Sequence, residues 1–358
     1  MVGHIAAVDS TQTWDFKTLS RGKSPQIIAL LSEQESRIPQ YKKALIVASE
    51  SKVSNPKFSQ YFVKESVITD THTVPAGNIE YGFCQAIHGE ESAVAGYRSA
   101  LSLVPPESDN KDLVLGIVAG NPGNIPNPCG NCRDVMIDGL GTDFEIVSGA
   151  ADGGLAIVLP MDMFTFNPQE QIDINSRKRL QVSDRLGMSK GDFNEIVSRT
   201  LKEGKRLTND AYSPPNINPE RKYFATVVTD HNLFHGARDI MVDYHPIYAL
   251  RDAVRQARRE NDTSVKSIVI ISEDPNINLP QVMYKDRQHL LEYNLQGELI
   301  SGNEKDPPVF LVGHDDKGKI TTVWKTSVKE WLPFPFNPRN FGDEFVRYLG
   351  AYHRNRVK

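Results

Sequence analysis

The chain has 358 residues, of which 39% are hydrophobic and 24% are charged, and its formal net charge is −4. This length favours two domains, the composition is typical of a soluble globular protein, and the net negative charge argues against a surface built to neutralise nucleic-acid phosphates. The sequence has no apolar run of about 20 residues and no signal-peptide pattern, so we expect a cytoplasmic protein without a membrane span.

The predicted elements of the first half alternate between helices and strands. A helical pattern runs from Pro39 to Glu50, and a strand rich in Phe and Val follows at residues 61–69. A second helix is predicted to begin near Cys84. Three short apolar runs then have the length of buried strands, at residues 113–118, 144–147 and 155–159. This order favours an α/β layered domain.

After a polar, helix-prone segment the order of elements starts again. A helix is predicted at residues 248–259, and strands are predicted at residues 224–228, 267–271 and 309–312. Self-similarity of this kind indicates a second copy of the same fold. We therefore expect an N-terminal extension at 1–35, a catalytic domain at 36–168, a helical connector at 169–205 and a second domain at 206–358.

Two short motifs of the first half carry the chemistry. His88-Gly89-Glu90 comes first, and Pro128-Cys129-Gly130-Asn131-Cys132-Arg133 follows, with an apolar strand between them. One imidazole and two thiolates supply three zinc ligands and leave the fourth tetrahedral position open, as in catalytic rather than structural sites. We predict that His88, Cys129 and Cys132 bind one Zn²⁺. The combined pattern, H-x-E and then P-C-x-x-C, is the signature of zinc deaminases.

The residues around the ligands have roles of their own in this hypothesis. Glu90 lies two residues beyond the first ligand, where it can take a proton from zinc-activated water and pass it to a substrate. Pro128 is expected to present the two cysteines at the start of a helix, whose N-terminus favours thiolates. Arg133 is expected to offset part of the negative charge of the sulfurs.

Other interpretations of the cysteines remain open. Cys84, Cys129 and Cys132 are the only cysteines, too few for a disulfide framework in a chain of this size. Cys-x-x-Cys alone also fits a thiol redox protein, and a structural zinc site would need a fourth ligand. A binding protein with a vestigial zinc site is the alternative outside the enzymes.

Residues 54–164 resemble the cytidine deaminase family in several separate places. Asn78-Ile79-Glu80 is similar to the family's Asn-x-Glu, Phe58 to a phenylalanine that contacts the base, and Leu159–Phe164 to the closing Leu-Pro-x-x-Phe. The resemblance implies a three-layer α/β/α fold and the hydrolytic deamination of free cytidine or deoxycytidine in pyrimidine salvage. It also implies that Asn78 and Glu80 hold the ribose of the nucleoside.

The second half repeats the scaffold without the chemistry. We align His245-Pro246-Ile247 with His-x-Glu, Gln281 and Tyr284 with the two cysteines, and Leu332–Phe336 with the closing motif. Zinc is therefore expected in the N-terminal domain only. The arrangement resembles the tandem-domain class of cytidine deaminases with a degenerate C-terminal copy, which implies a homodimer.

The substrate has three alternatives in this hypothesis. The strand after Phe58 departs from the family pattern, which leaves open a modified nucleoside or a nucleoside antibiotic. Nucleic-acid editing deaminases use the same zinc centre. The negative net charge and the scarcity of basic clusters outside the C-terminal tail argue against nucleic acid as the partner.

Overall fold

The structure is a computed structural model of the chain. It describes residues 14–16, 35–57, 59, 61–82, 85–102, 112–119, 125–151, 153–165, 168, 170–176, 179–208, 219–238, 247–333 and 336. No helix within these ranges is both long enough and apolar enough to cross a membrane. The chain divides into two compact units, Met1–Thr165 with Phe334–Asp343 and Phe166–Pro333 with Glu344–Lys358.

The first unit is built on a mixed sheet of six strands. These strands are β1 Trp14–Phe16, β2 Val63–Ile68, β3 Thr73–Gly77, β6 Val114–Ala119, β7 Glu145–Ala150 and β8 Gly154–Pro160, in the order β1-β8-β7-β6-β2-β3. β6 and β7 are parallel, and β2 is antiparallel to both of its neighbours. Two further strands, β4 Ile79–Gly82 and β5 Gln85–Ile87, pair with each other.

Helices cover both faces of this sheet. α1 (Ile38–Glu50) carries Tyr41, Leu45 and Ala48 at helical spacing and buries them against one face. α2 (Gly89–Leu101) and α3 (Gly130–Leu140) bury the other face, and α3 lies in the connection between the parallel strands β6 and β7. The first unit is therefore a three-layer α/β/α domain.

The second helix does not begin where the sequence predicted. It was expected near Cys84, but β5 extends to Ile87 and the helix begins at Gly89. His88 is its N-cap residue, with extended backbone angles. The apolar residues that suggested the earlier start belong to β5. Over only three residues, the spacing of apolar side chains does not distinguish a strand from a helix. Cys84 itself lies outside the described residues.

The second unit also has a mixed sheet of six strands with helices on both faces. Its strands are β9 Glu170–Gln171, β10 Tyr223–Thr229, β11 Leu233–Gly236, β12 Val265–Ser272, β13 Pro308–His314 and β14 Ile320–Ser327, in the order β11-β10-β12-β13-β14-β9. Its helices are α4 Arg179–Leu186, α5 Lys190–Thr208, α6 Ala249–Arg259 and α7 Tyr284–Ser301. α4 and α5 pack on one face of the sheet, and α6 and α7 pack on the other.

The two sheets share one topology over five strands. Strands β3-β2-β6-β7-β8 of the first unit match β11-β10-β12-β13-β14 of the second in order. They also match in direction, because each set of five strands has one parallel pair, β6–β7 or β12–β13, and three antiparallel pairs. The sixth strands differ, since β1 is parallel to β8 and β9 is antiparallel to β14.

Hydrogen bonds and helix caps align the two units residue by residue. The N–H groups of Thr69 and Thr229, 160 residues apart, close the β2–β3 and β10–β11 turns in the same way. His88 and Tyr248, also 160 residues apart, are the N-cap residues of α2 and α6. In the first turns of α3 and α7, Arg133 and Arg287 each donate Nε to the backbone carbonyl five residues earlier, at 3.0 Å.

The alignment of His245-Pro246-Ile247 with His-x-Glu is wrong by three residues. The N-cap correspondence places Tyr248-Ala249-Leu250 opposite His88-Gly89-Glu90, and Leu250 is fully buried. The sequence alignment matched one histidine with the other, but the first residue of the helix determines which residues correspond. His245 itself lies outside the described residues.

The alignment of Gln281 and Tyr284 with the cysteines is also wrong, by two residues. Met283 is the N-cap residue of α7, as Cys129 is of α3. Asp286, three residues later, is then the counterpart of the second cysteine. The error came from matching the prolines that precede the two motifs, whereas the helices begin at different distances from them.

The closing motif of the second unit is displaced too. Nη1 of each arginine, Arg133 or Arg287, donates to the carbonyl of an aromatic residue, Phe164 at 3.4 Å and Trp331 at 3.3 Å. Each guanidinium also lies 4.9 Å from the centroid of that aromatic ring. Trp331, and not Phe336, is therefore the counterpart of Phe164.

Candidate metal centre and active site

A hydrogen bond from its backbone N–H fixes His88 at the start of α2. Its N–H donates to Oε2 of Glu91, at 2.7 Å, three residues into the helix. The other oxygen of Glu91 accepts a hydrogen bond from Asn131 Nδ2 at 2.6 Å, in the first turn of α3. Glu91 thus links the starts of the two helices and satisfies a backbone donor that the helix would otherwise leave unpaired.

The three predicted ligands converge at these helix starts. Cys129 is the N-cap residue of α3, and Cys132 lies in its first turn. The Sγ atoms of Cys129 and Cys132 lie 3.3 Å apart, and His88 Nδ1 lies 3.2 Å from Cys132 Sγ and 3.4 Å from Cys129 Sγ. A tetrahedral zinc ion holds such donors about 3.6 to 3.8 Å apart. The triad therefore fits zinc after an expansion of a few tenths of an ångström.

The electrostatics of the triad favour ionisation of Cys129, whereas burial, followed by the hydrogen bond with Cys129, raises the pKa of Cys132 well above its usual range. The N-termini of α2 and α3 both point at the site, and their partial positive charges stabilise thiolates. Hydrogen bonds with Cys132 and then with His88 hold the pKa of Cys129 well below its usual range. The hydrogen bond with Cys129, helped by the charges of Cys129, Glu90 and Glu91, raises the pKa of His88 to about 9, against the effect of burial.

Glu90 is a buried carboxyl within hydrogen-bonding reach of Cys132 in this triad. It is 6% exposed and lies in the first turn of α2, two residues beyond His88. Burial, followed by the charge of Cys129, raises its pKa. Burial and the nearby negative charge of Glu90 also raise the pKa of the Tyr61 hydroxyl to about 12. A carboxyl with a raised pKa beside a metal triad is suited to accept and return a proton.

The triad and Glu90 line one cavity of about 200 Å³. Its apolar wall includes Tyr61, Val63, Ile117 and Phe336. Phe336 belongs to the first unit and meets the Tyr61 ring edge to face, with the two centroids 6.4 Å apart. The cavity therefore has the triad and Glu90 on one side and two aromatic side chains on another.

Asn78 lies in the wall of the cavity and ties three chain segments together. Its Oδ1 accepts hydrogen bonds from the Ser54 hydroxyl at 2.6 Å and from the Val63 N–H at 3.0 Å. Its Nδ2 donates to the Tyr61 carbonyl at 2.7 Å. Asn78 thus has a clear role in the local fold, and its role toward a ribose stays a prediction.

Of the other two predicted substrate contacts, the structure describes Glu80 and does not describe Phe58. Glu80 lines the cavity, and its Oε2 accepts a hydrogen bond from the Ser59 N–H at 2.9 Å. The role of Glu80 toward a ribose likewise stays a prediction. Phe58 lies outside the described residues.

Arg133 supports the centre through backbone carbonyls. The side chain is fully buried, and its two hydrogen bonds hold the carbonyls of Pro128, next to Cys129, and of Phe164, in the turn after β8. These contacts fix the loop that carries the first cysteine. The expected effect of Arg133 on the charge of the sulfurs stays a prediction.

Solved cytidine deaminases are similar to part of this chain. The enzyme from Burkholderia pseudomallei is 21% identical over 34% of this chain and 93% of its own, with a TM-score of 0.29. The Mycobacterium leprae enzyme is 23% identical over 34% of this chain and 90% of its own, with a TM-score of 0.24. The Mycobacterium tuberculosis enzyme is 21% identical over 30% and 79%, with a TM-score of 0.23. No protein-family model matches the chain, and no curated protein matches it.

Several residues of the site were missed in the sequence, among them Tyr61 and four others. Glu91 and Asn131 had a signal, because an acidic residue three positions beyond an N-cap is typical of a capping box. Glu65, which lies against Gly89, had a weaker signal as the one acidic residue of β2, where Lys64 and Ser66 flank it. Phe336 had none, because more than 200 residues separate it from the rest of the cavity wall.

Proposed function

We propose that the chain is a zinc-dependent hydrolase that deaminates cytidine or deoxycytidine to the uracil nucleoside and ammonia. One observation carries the proposal. Two thiols, one imidazole and a buried carboxyl meet at the floor of one cavity, with His88, Cys129 and Cys132 within 4.8 Å of one another. This donor set suits zinc and leaves a position for water, which is the requirement of a catalytic site.

The residues divide the reaction between them. A zinc ion held by the triad supplies the activation of a water molecule at neutral pH. Glu90 accepts the first proton of that water and delivers it to the ring nitrogen, where it stays in the uracil product. It then accepts the second proton and delivers it to the departing amine. The oxygen of the water becomes the carbonyl oxygen of uracil, the C–N bond breaks, and the amine leaves as ammonia with one of the two protons of the water.

The form of the cavity supports a single nucleoside as the substrate. The aromatic side chains of Tyr61 and Phe336 offer a surface for a flat base, and Asn78 and Glu80 offer polar groups for a sugar. We propose that Asn78 and Glu80 hold the ribose and that Phe58 contacts the base. A longer nucleic acid would need basic side chains around the opening, and the cavity lining contains no lysine or arginine among the described residues.

We also propose that the second unit is a non-catalytic copy, in the manner of tandem-domain cytidine deaminases. The shared strand order supports this proposal, as do the side chains opposite the site. Tyr248, Met283 and Asp286 lie in the positions of the three ligands, and Leu250 lies in the position of Glu90. An apolar side chain cannot transfer a proton. By the same resemblance we propose a homodimer, which light scattering of the purified chain tests.

A substrate panel with a zinc measurement tests the proposed function. The panel contains cytidine, deoxycytidine, adenosine, a modified cytidine, a cytosine nucleoside antibiotic and a single-stranded oligonucleotide. We expect one zinc per chain, and ammonia and uracil nucleoside in equal amounts from cytidine or deoxycytidine. A protein that holds stoichiometric zinc and releases no ammonia from any of these compounds would refute the proposal. If only the oligonucleotide or only the antibiotic is turned over, the proposed substrate is wrong and the proposed deamination reaction is correct.

A further inference from the structure

Glu65 is a buried carboxyl inside the sheet of the first unit. It lies in β2, pairs with Ile117 of β6 and has an exposure of 0%. No described residue donates a hydrogen bond to either of its carboxyl oxygens. An ionised carboxylate in such a place would lose its solvation without compensation. Glu65 therefore needs a specific partner to be tolerated in this position.

The partner of Glu65 is Glu90. The two carboxyls lie within hydrogen-bonding reach of each other. Two carboxyl groups can form a hydrogen bond only if one of them keeps its proton, because both are otherwise acceptors. Burial, and then the charge of Glu90, hold the pKa of Glu65 well above its ordinary value. Neither oxygen of Glu65 receives a hydrogen bond from a described residue, so the pair is satisfied when Glu65 keeps the proton and donates it to Glu90.

Gly89 makes room for this pair. A Cβ atom at Gly89 would lie 2.5 Å from Oε1 of Glu65 and 2.8 Å from its Cδ, both too close for van der Waals contact. The carboxyl of Glu65 therefore rests on the backbone between His88 and Glu90. The middle residue of the His-x-Glu motif has no side chain because Glu65 occupies the space.

The second unit lacks every part of this arrangement. Ala225 lies four residues before the turn residue Thr229, as Glu65 lies four residues before Thr69, and Ala225 is fully buried. Ala249-Leu250 corresponds to Gly89-Glu90 through the helix N-caps. Where the glutamate of the motif is absent, the buried carboxyl and the glycine are absent too. The three residues thus differ together between two copies of one scaffold, which ties Glu65 to Glu90 rather than to the stability of the sheet.

We propose that Glu65 is a positioning residue that holds the Glu90 carboxyl toward the cavity through a carboxyl-to-carboxyl hydrogen bond. This inference rests on the proposed function, in which Glu90 transfers the protons. The hydrogen bond engages the carboxyl of Glu90, which also contacts the Cys132 thiol at the floor of the cavity. It also limits the rotation of the side chain, which matters because misplacement of a catalytic group by about 1 Å can cost on the order of 100-fold in rate.

Substitution of Glu65 tests the positioning role. We expect Glu65→Ala to lower kcat on the order of 100-fold, with KM and zinc content close to those of the wild type. Glu65→Gln should restore kcat to within about 10-fold of the wild type, because its amide N–H can donate to the same Glu90 oxygen. Ser66→Ala is the matched control, since Ser66 is equally buried in the same strand but donates to the Ala44 carbonyl. It should leave kcat unchanged.

Infrared spectra of the zinc-loaded protein provide a second readout that needs no turnover. At pH 8 we expect the carbonyl band of a protonated carboxyl in the wild type and its loss in Glu65→Gln. In Glu90→Gln the band should persist and shift to higher frequency, because an amide accepts a hydrogen bond more weakly than a carboxylate. A band that Glu65→Gln leaves in place, or that Glu90→Gln leaves unshifted, would overturn the pairing.

The two measurements separate the inference from the proposed function. If no compound in the panel is deaminated and the infrared band behaves as described, the function is wrong and the pair is correct. If cytidine is deaminated and Glu65→Ala turns over as fast as the wild type, the positioning role is wrong and the function is correct. A loss of kcat that Glu65→Gln does not restore would also overturn the positioning role.

Discussion

His88 Nδ1 and Cys132 Sγ lie 3.2 Å apart, although 44 residues separate them in the chain. They meet because α2 and α3 begin side by side, and Glu91 and Asn131 join the two starts by a hydrogen bond. Each helix thus contributes ligands from its first residues and the positive end of its dipole. The candidate metal centre forms because the N-termini of two helices are held side by side.

Replacement of the general acid and base should separate metal binding from turnover. We expect Glu90→Gln to keep one zinc per chain and to lower kcat by roughly 10²- to 10⁴-fold, because the amide cannot accept and return the proton. Ammonia release and zinc content are measured on the same sample. Turnover within a few-fold of the wild type would show that Glu90 is not the proton carrier.

Zinc content should depend on the first unit and not on the second. We expect Cys129→Ser to reduce bound zinc well below one per chain, because the hydroxyl is a poor substitute for the thiolate. Met283→Leu is the matched control, since Met283 is the corresponding N-cap residue of the second unit. It should leave the zinc content unchanged. A similar loss of zinc in both variants would contradict the assignment of the site.

The two buried arginines should have the same structural cost and different effects on zinc. We expect Arg133→Met and Arg287→Met each to lower the free energy of unfolding by about 2 to 4 kcal/mol, because each removes two buried hydrogen bonds to backbone carbonyls. Hydrogen exchange should show the loss in α3 for the first variant and in α7 for the second. Only Arg133→Met should weaken zinc binding, as measured by competition with a chelator. Equal zinc affinity in both variants would refute the role of Arg133 at the centre.

Asp286 should make the second unit less stable at neutral pH. Burial raises its pKa from 3.8 to about 6, against the attraction of Arg251. Because the folded pKa is raised, ionisation of Asp286 costs stability above pH 6, and this cost disappears as pH falls toward 4. We expect Asp286→Asn, which can still accept the hydrogen bond of the Tyr223 hydroxyl, to raise the free energy of unfolding at pH 7 by about 3 kcal/mol.

The pH dependence of this difference is the decisive measurement. The stability gain of Asp286→Asn over the wild type should shrink to about zero at pH 4. His289, whose pKa burial lowers to about 4, destabilises the fold as pH falls through the same range. It does so in both proteins, so the difference between them isolates Asp286. A gain that does not change between pH 7 and pH 4 would mean that Asp286 titrates normally.

The close contact between Gly89 and Glu65 should appear as a coupling energy between substitutions at the two positions. We expect Gly89→Ala to cost about 1 to 3 kcal/mol of stability in the wild type, because the new methyl group meets the Glu65 carboxyl. In a Glu65→Ala background, which resembles Ala225 and Ala249 of the second unit, the same substitution should cost much less. Urea unfolding of the four proteins provides the double-mutant cycle. Additive costs would show that Glu65 does not fill the space.

Most of the long apolar elements were predictable from the sequence. The strands β2, β6, β7, β8, β10, β12 and β13 and the helices α1 and α6 lie where periodicity placed them, within a few residues. The short strands β4, β5 and β11 were not predicted, because their pairing rather than their composition defines them. The edge strand β1 lies in the segment predicted as an N-terminal extension, and its pairing with β8 depends on residues more than 100 positions away.

The sequence by itself determined which residues are the candidate metal ligands and the candidate proton carrier, and the structure brings the three ligand side chains together. His88, Glu90, Cys129 and Cys132 are recognisable because ligand chemistry and the spacing around a helix start are local properties. Only the tertiary structure decided that Glu65 lies against Glu90. That contact depends on how a strand and a helix pack, and no local pattern encodes the distance between two elements 20 or more residues apart.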